Sequence, residues 1–348
     1  MTAEKTSQIR WALTFWLFVL SAVAYLDRVN ISIAGPLLES EFHLSDIQLG
    51  RIFSAFLAGY ALFQTAGGRL ADKLGGRRIL ALAVVWWGIF SALTVIVPAG
   101  FHAALLALMS LRFALGAGEA VMYPASNQFV ARWIPSSERG LANGLIFSGV
   151  GVGAAFTPPL IAYIMLRHGW RSSFLVCAAL GLIVGLLWYL IARNTPEEHP
   201  GVSRGELAKI KAGLPTASLQ KKAKLISWGK MLQSKEVIAV TISYFTYGYV
   251  AWIFFNWFFI YLAKVRGLNL KSSAFYSTLP FMAMAVCSPL GGLISDAIAK
   301  SKGPRAGRGG IAVFAMVIAA IFLVIGSRAQ NMQVAIFVLA GGAGRTWK

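Results

Sequence analysis

Apolar runs of roughly 20 residues recur along the whole 348-residue chain and are joined by short polar links. A helix of this length crosses a hydrocarbon layer about 30 Å thick. Hydrophobic residues make up 57% of the sequence and charged residues only 13%, which is typical of a polytopic membrane protein. The runs predict membrane-spanning helices near residues 12–36, 47–70, 79–98, 101–124, 140–165, 172–192, 236–263, 273–298 and 310–327, with a tenth beginning near 332.

The positive charges indicate how these helices are oriented. A net charge of +19 would suit a nucleic-acid-binding protein, but the basic residues lie in the links and form no compact basic patch, so no nucleic acid is expected as a partner. Most of the 32 Lys and Arg fall on one side if every run crosses the membrane. The positive-inside rule makes that side, and the N-terminus with it, cytoplasmic. This side carries Lys5, Arg10, Arg69–Arg78, Arg132, Arg139, Arg193–Lys235 and Lys300–Arg308.

The first apolar run also resembles a secretory signal peptide. Basic residues precede it, and Ala22, Val23 and Ala24 form the small-residue pattern of a cleavage site. The run continues beyond Ala24 to the length of the other spans, which favours a retained helix.

The sequence offers no catalytic or metal-ligating set. The four His occupy links or helix ends, and no nucleophile, phosphate-binding loop or metal-ligand spacing is present. Gly149, Gly151 and Ala154 match a dinucleotide-binding pattern, but no strand precedes them. Gly149 and Gly153 instead predict close helix packing. We therefore expect neither an enzyme nor a cofactor.

The longest polar interval divides the chain. Residues 1–192 would form a six-helix bundle, residues 193–235 a cytoplasmic linker containing a short surface helix, and residues 236–348 a second bundle. A repeated G-x-x-x-D element, with Asp72 in the first half and Asp296 in the second, supports this division. In the register of this repeat the second half stops two helices short, so a truncated chain of nine to ten helices is expected.

The repeated element predicts a latch between helix ends. Gly68 would let two helices approach closely, and Asp72 would accept from backbone amides or pair with a basic residue. Arg77 and Arg78 would anchor the inner membrane face. Asp296 would be the counterpart of Asp72 in the second half.

These motifs resemble known families. Residues 67–78, "GGRLADKLGGRR", resemble the cytoplasmic signature of the major facilitator superfamily, although Gly76 stands where many members carry a basic residue. Residues 112–144, 25–36 and 195–207 are similar to the anion:cation symporter family, in the same order along the chain. The resemblance implies two six-helix bundles, the second incomplete here, and a transporter of organic anions such as galactonate, glucarate or hexuronates.

Four ionisable residues lie inside predicted spans: Asp27, Arg28, Arg112 and Glu119. A charge at mid-membrane costs several kcal/mol, so each should face a cavity or a partner. Asp27 and Arg28 point about 100° apart on a helix and cannot neutralise each other easily. Arg112 and Glu119 share a helix face about 10 Å apart. A purely structural ion-pair network is the alternative interpretation.

The chemistry of these groups predicts a division of roles. Arg28 remains charged and its planar fork matches a carboxylate, so we expect it to bind an anionic substrate. Asp27 and Glu119 can change protonation with their surroundings and would carry protons, while Arg112 would be the counter-charge for one of them. The family resemblance implies the same roles for Asp27, Arg28 and Glu119.

Five further polar residues are candidate substrate contacts. The resemblance implies that Tyr25, Tyr60 and Gln64 lie near the cavity. Asn256 stands among aromatic residues, where its amide could bind hydroxyls, and Ser148 could face the cavity. Packing between helices is the alternative for each of them.

The sequence as a whole predicts a monomeric transporter that imports a small organic anion with protons by alternating access. Short outer loops favour the inner membrane of a bacterium, with membrane lipid around the helices. Coupling to Na⁺, anion exchange, and a non-transporting sensor or fragment are the alternatives.

Overall fold

The computed structural model describes residues 6–214, 229–230, 233–303, 305–331, 334–336, 338–339 and 341, apart from some side chains after residue 287. The middle of the linker, at 215–228, and the last residues of the predicted second bundle lie outside this part. No strand occurs among the described residues, and the predicted all-α fold is confirmed. The helices are α1 (Ile9–Phe42), α2 (Asp46–Leu74), α3 (Gly76–Val95), α4 (Ala104–Glu119), α5 (Met122–Trp133), α6 (Arg139–Ile191), α7 (Arg204–Gly213), α8 (Lys235–Ile260), α9 (Leu270–Lys302) and α10 (Ile311–Arg328).

Five helical segments of the described chain are long and apolar enough to cross a membrane: Ile9–Phe42, Gly76–Val95, Ala104–Trp133, Arg139–Ile191 and Lys235–Val265. The fourth is two helices in sequence. Gly169 has φ 77° and ψ 167°, which an L side chain adopts only with strain, and the helical path breaks there. This break falls between the two spans predicted at 140–165 and 172–192.

The fourth predicted span continues further than expected. The sequence predicted its end near residue 124, whereas helix resumes as α5 and runs on to Trp133. The helix is interrupted between Glu119 and Met122, just before Pro124. Proline lacks an amide hydrogen and its ring crowds the carbonyl four residues earlier, which is Ala120, so the interruption has a local cause.

Glycines let the helices of the first half pack closely. A Cβ on Gly116 would fall among the backbone atoms of Phe56 and Tyr60, so α4 crosses α2 at backbone contact. Gly149 lies against Phe18 and Ser21 of α1 and Gly153 against Ala22, as predicted for the glycines of α6.

The linker helix α7 is fastened to the start of α1. Glu206, fully buried, accepts from Ser7 Oγ at 2.5 Å, from the Ile9 and Arg10 amides at 3.1 Å and from Arg10 Nη1 at 3.0 Å. Ser7 and Ser203 also donate their amides to each other's hydroxyl. The first amides of a helix have no partner within it, and Glu206 supplies one.

At the opposite end of α1, helix α8 packs on the first half. Lys264, in the π-helical segment Tyr261–Val265 that follows α8, bridges Glu39 of α1 and Asp46 of α2, with 2.5 Å between Nζ and the Asp46 Oδ1. Trp257 lies edge-on to Phe53, and Ser32 Oγ donates to the Asn256 carbonyl at 2.6 Å. These contacts join the two halves at this end, which we call the far end of the molecule.

Candidate functional site: a buried charge cluster

The four charged residues predicted inside spans come together between α1 and α4. Their exposed fractions are 1% for Asp27, 3% for Arg28, 2% for Arg112 and 0% for Glu119. Two cations and two anions thus balance in a volume almost closed to water, where electrostatic interactions are strong. We refer to these four residues as the charge cluster.

Arg28 pairs with Glu119. Its Nε donates to the Glu119 Oε2, across 91 positions of sequence. The guanidinium carbon also lies 4.7 Å from the ring centroids of both Tyr25 and Tyr60. Tyr25 precedes Arg28 by three positions on α1, and Tyr60 reaches it from α2. A cation over aromatic faces is stabilised by their negative quadrupole, so the side chain is held from several directions.

Asp27 turns to a different set of partners. Ser91 Oγ of α3 donates to the Asp27 Oδ1 at 2.6 Å. The adjacent residues Asp27 and Arg28 therefore have different partners, as their angular separation on a helix predicted.

Phe56 of α2 lies against both arginines. Its ring centroid is 5.5 Å from the guanidinium carbon of Arg28 and 5.1 Å from that of Arg112. The ring also meets Tyr60 of the same helix and Trp252 of α8. Phe56 is thus the point where both cations and the second half of the chain come together.

Several polar atoms of the cluster lack a hydrogen-bond partner within the described part of the chain. They are Asp27 Oδ2, Arg28 Nη2, Arg112 Nε and Nη1, and Glu119 Oε1. Buried polar atoms are normally satisfied, and unsatisfied ones carry a cost. The cluster therefore has donors and acceptors to offer to a ligand or to water.

The other predicted contact residues are spread more widely. Tyr25 and Tyr60 join the cluster through Arg28. Asn256 is buried in α8 one residue from Phe255, whose ring contacts Tyr25 at 5.1 Å between centroids. Ser148 is half-buried and donates to the Leu145 carbonyl of its own helix. Gln64 is exposed, one turn beyond Tyr60 on α2.

The predicted latch residues Asp72 and Arg77 lie near the end of α2 and the start of α3, where they meet residues of α5 and α6. Gln128 of α5 donates to the Ala71 carbonyl at 2.8 Å and to Asp72 Oδ1 at 3.4 Å, so the neighbour of Asp72 is a side-chain amide, in place of the predicted backbone amide or basic residue. Arg77 donates to the Tyr189 carbonyl at 2.8 Å and covers its ring.

The remaining latch residues differ in how they are placed. Gly68 lies against Pro124, with 3.7 Å between a Cβ built there and the proline Cβ. Arg78 is exposed at the start of α3. Asp296 belongs to α9, but its side chain lies outside the described residues.

Two residues of the site were missed by sequence reasoning. Ser91 carried a signal, because it is a polar residue in the apolar stretch "WWGIFSALTV" of α3. Phe56 carried no such signal, because apolar residues are expected throughout a membrane span.

The fold is that of a membrane transporter, and comparison with known proteins agrees. The chain belongs to the major facilitator superfamily, whose model matches residues 17–347. The predicted likeness to the anion:cation symporters is likewise confirmed by its curated relatives.

Among those relatives is a probable sulfoacetate transporter of Cupriavidus necator, 38% identical over 83% of this chain and 66% of its own length. A probable galactarate/D-glucarate transporter of Bacillus subtilis is 32% identical over 86% of this chain and 67% of its own. A probable chloroplastic anion transporter of rice is 34% identical, with 83% of this chain covering 48% of it. The chain thus spans about two thirds or less of the length of these relatives.

Solved structures support the fold alone. A bacterial homologue of the human lysosomal transporter Spinster, in an inward-facing and occupied conformation, matches 98% of this chain and 73% of its own with a TM-score of 0.72 at 18% identity. The proton:xylose symporter XylE bound to 6-bromo-6-deoxy-D-glucose matches 98% of this chain and 82% of its own, with a TM-score of 0.73 at 16% identity.

Proposed function

We propose that this chain carries the binding and coupling machinery of a transporter that imports a small organic anion together with protons. The observation behind the proposal is the buried pair of Arg28 and Glu119, in which the guanidinium keeps Nη2 without a partner among the described residues. Arginine keeps its positive charge at ordinary pH, so this guanidinium can bind an anionic group. Glu119 is the group that the incoming anion would replace.

The proposed cycle follows from charge balance. Protonation of Glu119 removes the anion that holds Arg28, and a substrate carboxylate or sulfonate then takes its place on the guanidinium. Protonation of Asp27 would similarly change the balance with Arg112. The conformational change that opens the site to the other side of the membrane costs less when the buried charges are compensated than when one charge is left bare. Alternating access would require the two halves to rock about this region.

The substrate class is inferred from chemistry and from the names of relatives. Sulfoacetate, galactarate, D-glucarate, hexuronate and galactonate each carry a carboxylate or sulfonate, which suits Arg28. Tyr25, Tyr60 and Asn256 would then contact the rest of the molecule. Ser148 and Gln64 are proposed as further contacts on the ground of the sequence alone.

The organisation of the molecule is part of the proposal. Residues 1–192 and 236–348 would act as the two moving units, with residues 193–235 as their cytoplasmic linker. The N-terminus would face the cytoplasm of a bacterium, with the protein in the inner membrane as a monomer. The basic residues on that side support this orientation. Gly68, Asp72, Arg77 and Arg78, with Asp296 in the second half, would latch helix ends at the cytoplasmic face.

Uptake into proteoliposomes tests the proposal. The chain is reconstituted, and accumulation of labelled sulfoacetate or galactarate is followed under an imposed proton gradient. We expect accumulation in the unmodified chain and its loss in Asp27→Asn and Glu119→Gln. Full proton-driven accumulation in both variants would refute the coupling role, and unchanged anion affinity in Arg28→Lys would refute the docking role.

The same assay separates the alternatives. Uptake that stops without Na⁺ but survives a proton uncoupler would indicate a Na⁺-coupled symporter. Uptake that needs an internal anion and no gradient would indicate an exchanger. Binding without any uptake would indicate a sensor or a non-transporting fragment.

A further inference from the structure

Phe56 occupies a position that the roles described so far do not explain. It is 3% exposed, and its ring lies against the guanidinium groups of both Arg28 and Arg112. Two cations in a medium of low polarity repel each other strongly. An aromatic face attracts both of them, so one ring stabilises an arrangement that the charges alone would oppose.

The arrangement matters because alternative pairings are within electrostatic reach. Arg28 pairs with Glu119. Arg112 lies on the same helix as Glu119, about two turns away. Arg112 Nε and Nη1 have no hydrogen-bond partner among the described residues, and the guanidinium lies against the Phe56 ring.

The ring is also in contact with the second half of the chain. Trp252 of α8 lies 6.0 Å from Phe56 between centroids, and the neighbouring Phe255 lies 5.1 Å from Tyr25. Phe56 and Tyr25 are both rings that hold Arg28. A movement of α8 would therefore act directly on rings that position the arginines.

We propose that Phe56 is a positioning residue that keeps Arg28 with Glu119 and holds Arg112 apart from that pair, and that Trp252 braces it from the second half. The proposal rests on the proposed function in that Glu119 and Asp27 are the proton carriers. It predicts that loss of the ring lets Arg112 move toward Glu119, so that the two carboxylates no longer titrate independently.

Phe53 offers a matched control. It lies on the same helix, is 4% exposed, and contacts α8 through Trp257, but it belongs to a different aromatic contact. Phe56→Leu and Phe53→Leu remove the same ring and leave the same apolar side chain. Any general loss of packing should be common to both variants.

The titratable and charged groups that face the cluster are Tyr25, Asp27 and Arg28 of α1, Tyr60 of α2, Arg112 and Glu119 of α4, Tyr123 of α5, Cys177 of α6 and Tyr247 of α8.

The experiment is an infrared titration of the buried carboxyl groups in the purified full chain, with bands assigned by Asp27→Asn and Glu119→Gln. We expect Phe56→Leu to move the Glu119 midpoint by about half a pH unit or more, and Phe53→Leu to leave it in place. Trp252→Leu should move it in the same direction by less. Equal midpoints in Phe56→Leu and the unmodified chain would overturn the proposal, as would equal shifts in Phe56→Leu and Phe53→Leu.

Binding of sulfoacetate and galactarate is measured on the same samples by calorimetry. If the unmodified chain binds neither anion, the proposed function fails, while the infrared midpoints still decide the role of Phe56. If the chain binds an anion and Phe56→Leu shifts no midpoint, the positioning role fails and the proposed function stands.

Discussion

Arg28 of α1 and Glu119 of α4 form an ion pair with both side chains closed to solvent. Bringing two charges out of water is costly, and their attraction repays this cost only when both partners are present. Removal of one partner leaves an uncompensated buried charge. The pair therefore couples the two helices energetically as well as geometrically.

We expect Arg28→Met to lower the free energy of unfolding by about 3–5 kcal/mol, because the Glu119 carboxylate loses its partner. Arg28→Met/Glu119→Leu should cost less than Arg28→Met alone, since no charge is then left unpaired. Unfolding in mixed detergent micelles, followed by tryptophan fluorescence, measures these two variants and the single variant Glu119→Leu. A double variant as unstable as the sum of the two single variants would show that the pair is not coupled.

Lys264 should control how tightly the far end of the molecule is closed. It joins the segment that follows α8 to Glu39 and Asp46 of the first half, so Lys264→Ala removes an ionic link between the halves. We expect spin labels at the exposed positions Ile47 and Val265 to show a distance distribution shifted to larger values. Stability should fall as well, because Glu39 is only 7% exposed and Lys264→Ala leaves its carboxylate without this partner.

Arg171→Ala is the control for this measurement. Arg171 pairs with Glu41 within the first half, with 2.6 Å between Nη2 and Oε1. It should leave the distance between the labels unchanged. An unchanged distribution in Lys264→Ala would mean that apolar contacts alone hold this end together.

Glu206 should be required for the linker helix to stay docked. It accepts four hydrogen bonds from the start of α1, and Glu206→Ala leaves the Arg10 side chain and two backbone amides to find other partners. We expect a loss of about 2–4 kcal/mol and faster proteolysis within residues 193–214. Glu197→Ala, which removes an exposed pair with Lys211, should have little effect on either measurement. Equal cleavage rates in the two variants would contradict the docking role.

Glu138 should make stability fall in acid. Lys209 and Arg10 hold the pKa of its carboxyl below the ordinary value. A lowered folded-state pKa stabilises the protein above the unfolded pKa of about 4.3, and this contribution is lost as the pH falls through the folded value. The stability difference between the unmodified chain and Glu138→Gln should therefore shrink below about pH 4. A difference that is constant between pH 7 and pH 3 would exclude this linkage.

Gly116 should tolerate no side chain. A Cβ there would overlap the backbone of α2, so Gly116→Ala must separate α2 from α4 and should cost about 1–3 kcal/mol. Gly144 lies in α6 with open space around its Cα, so Gly144→Ala should be neutral or slightly stabilising through helix propensity. Chemical unfolding of both variants makes the comparison. Similar effects at the two positions would show that helix propensity outweighs packing here.

The sequence predicted the helices well because membrane spans are constrained locally. Length and hydropathy of each apolar run decide whether it can cross a lipid bilayer, and a run of about 20 apolar residues satisfies its backbone there as a helix. The boundary that moved most, at the end of the fourth span, lies beside Pro124. The sequence showed this proline but not that a helix resumes after it.

The charged residues of the site were equally visible, because an ionised side chain within an apolar run stands out. That Asp27 and Arg28 need separate partners followed from the geometry of a helix. Which partner each one takes depends on how α1, α2, α3 and α4 pack. No local pattern contains that information.

The sequence by itself thus determined the class of fold, the buried charges and their balance. Only the tertiary structure decided that Glu119 goes to Arg28 and Ser91 to Asp27, and that one phenylalanine touches both arginines. The physical reason is the distance along the chain over which each effect acts. Hydropathy and helix geometry act within one segment, whereas pairing in a medium of low polarity depends on distances of a few ångströms between segments.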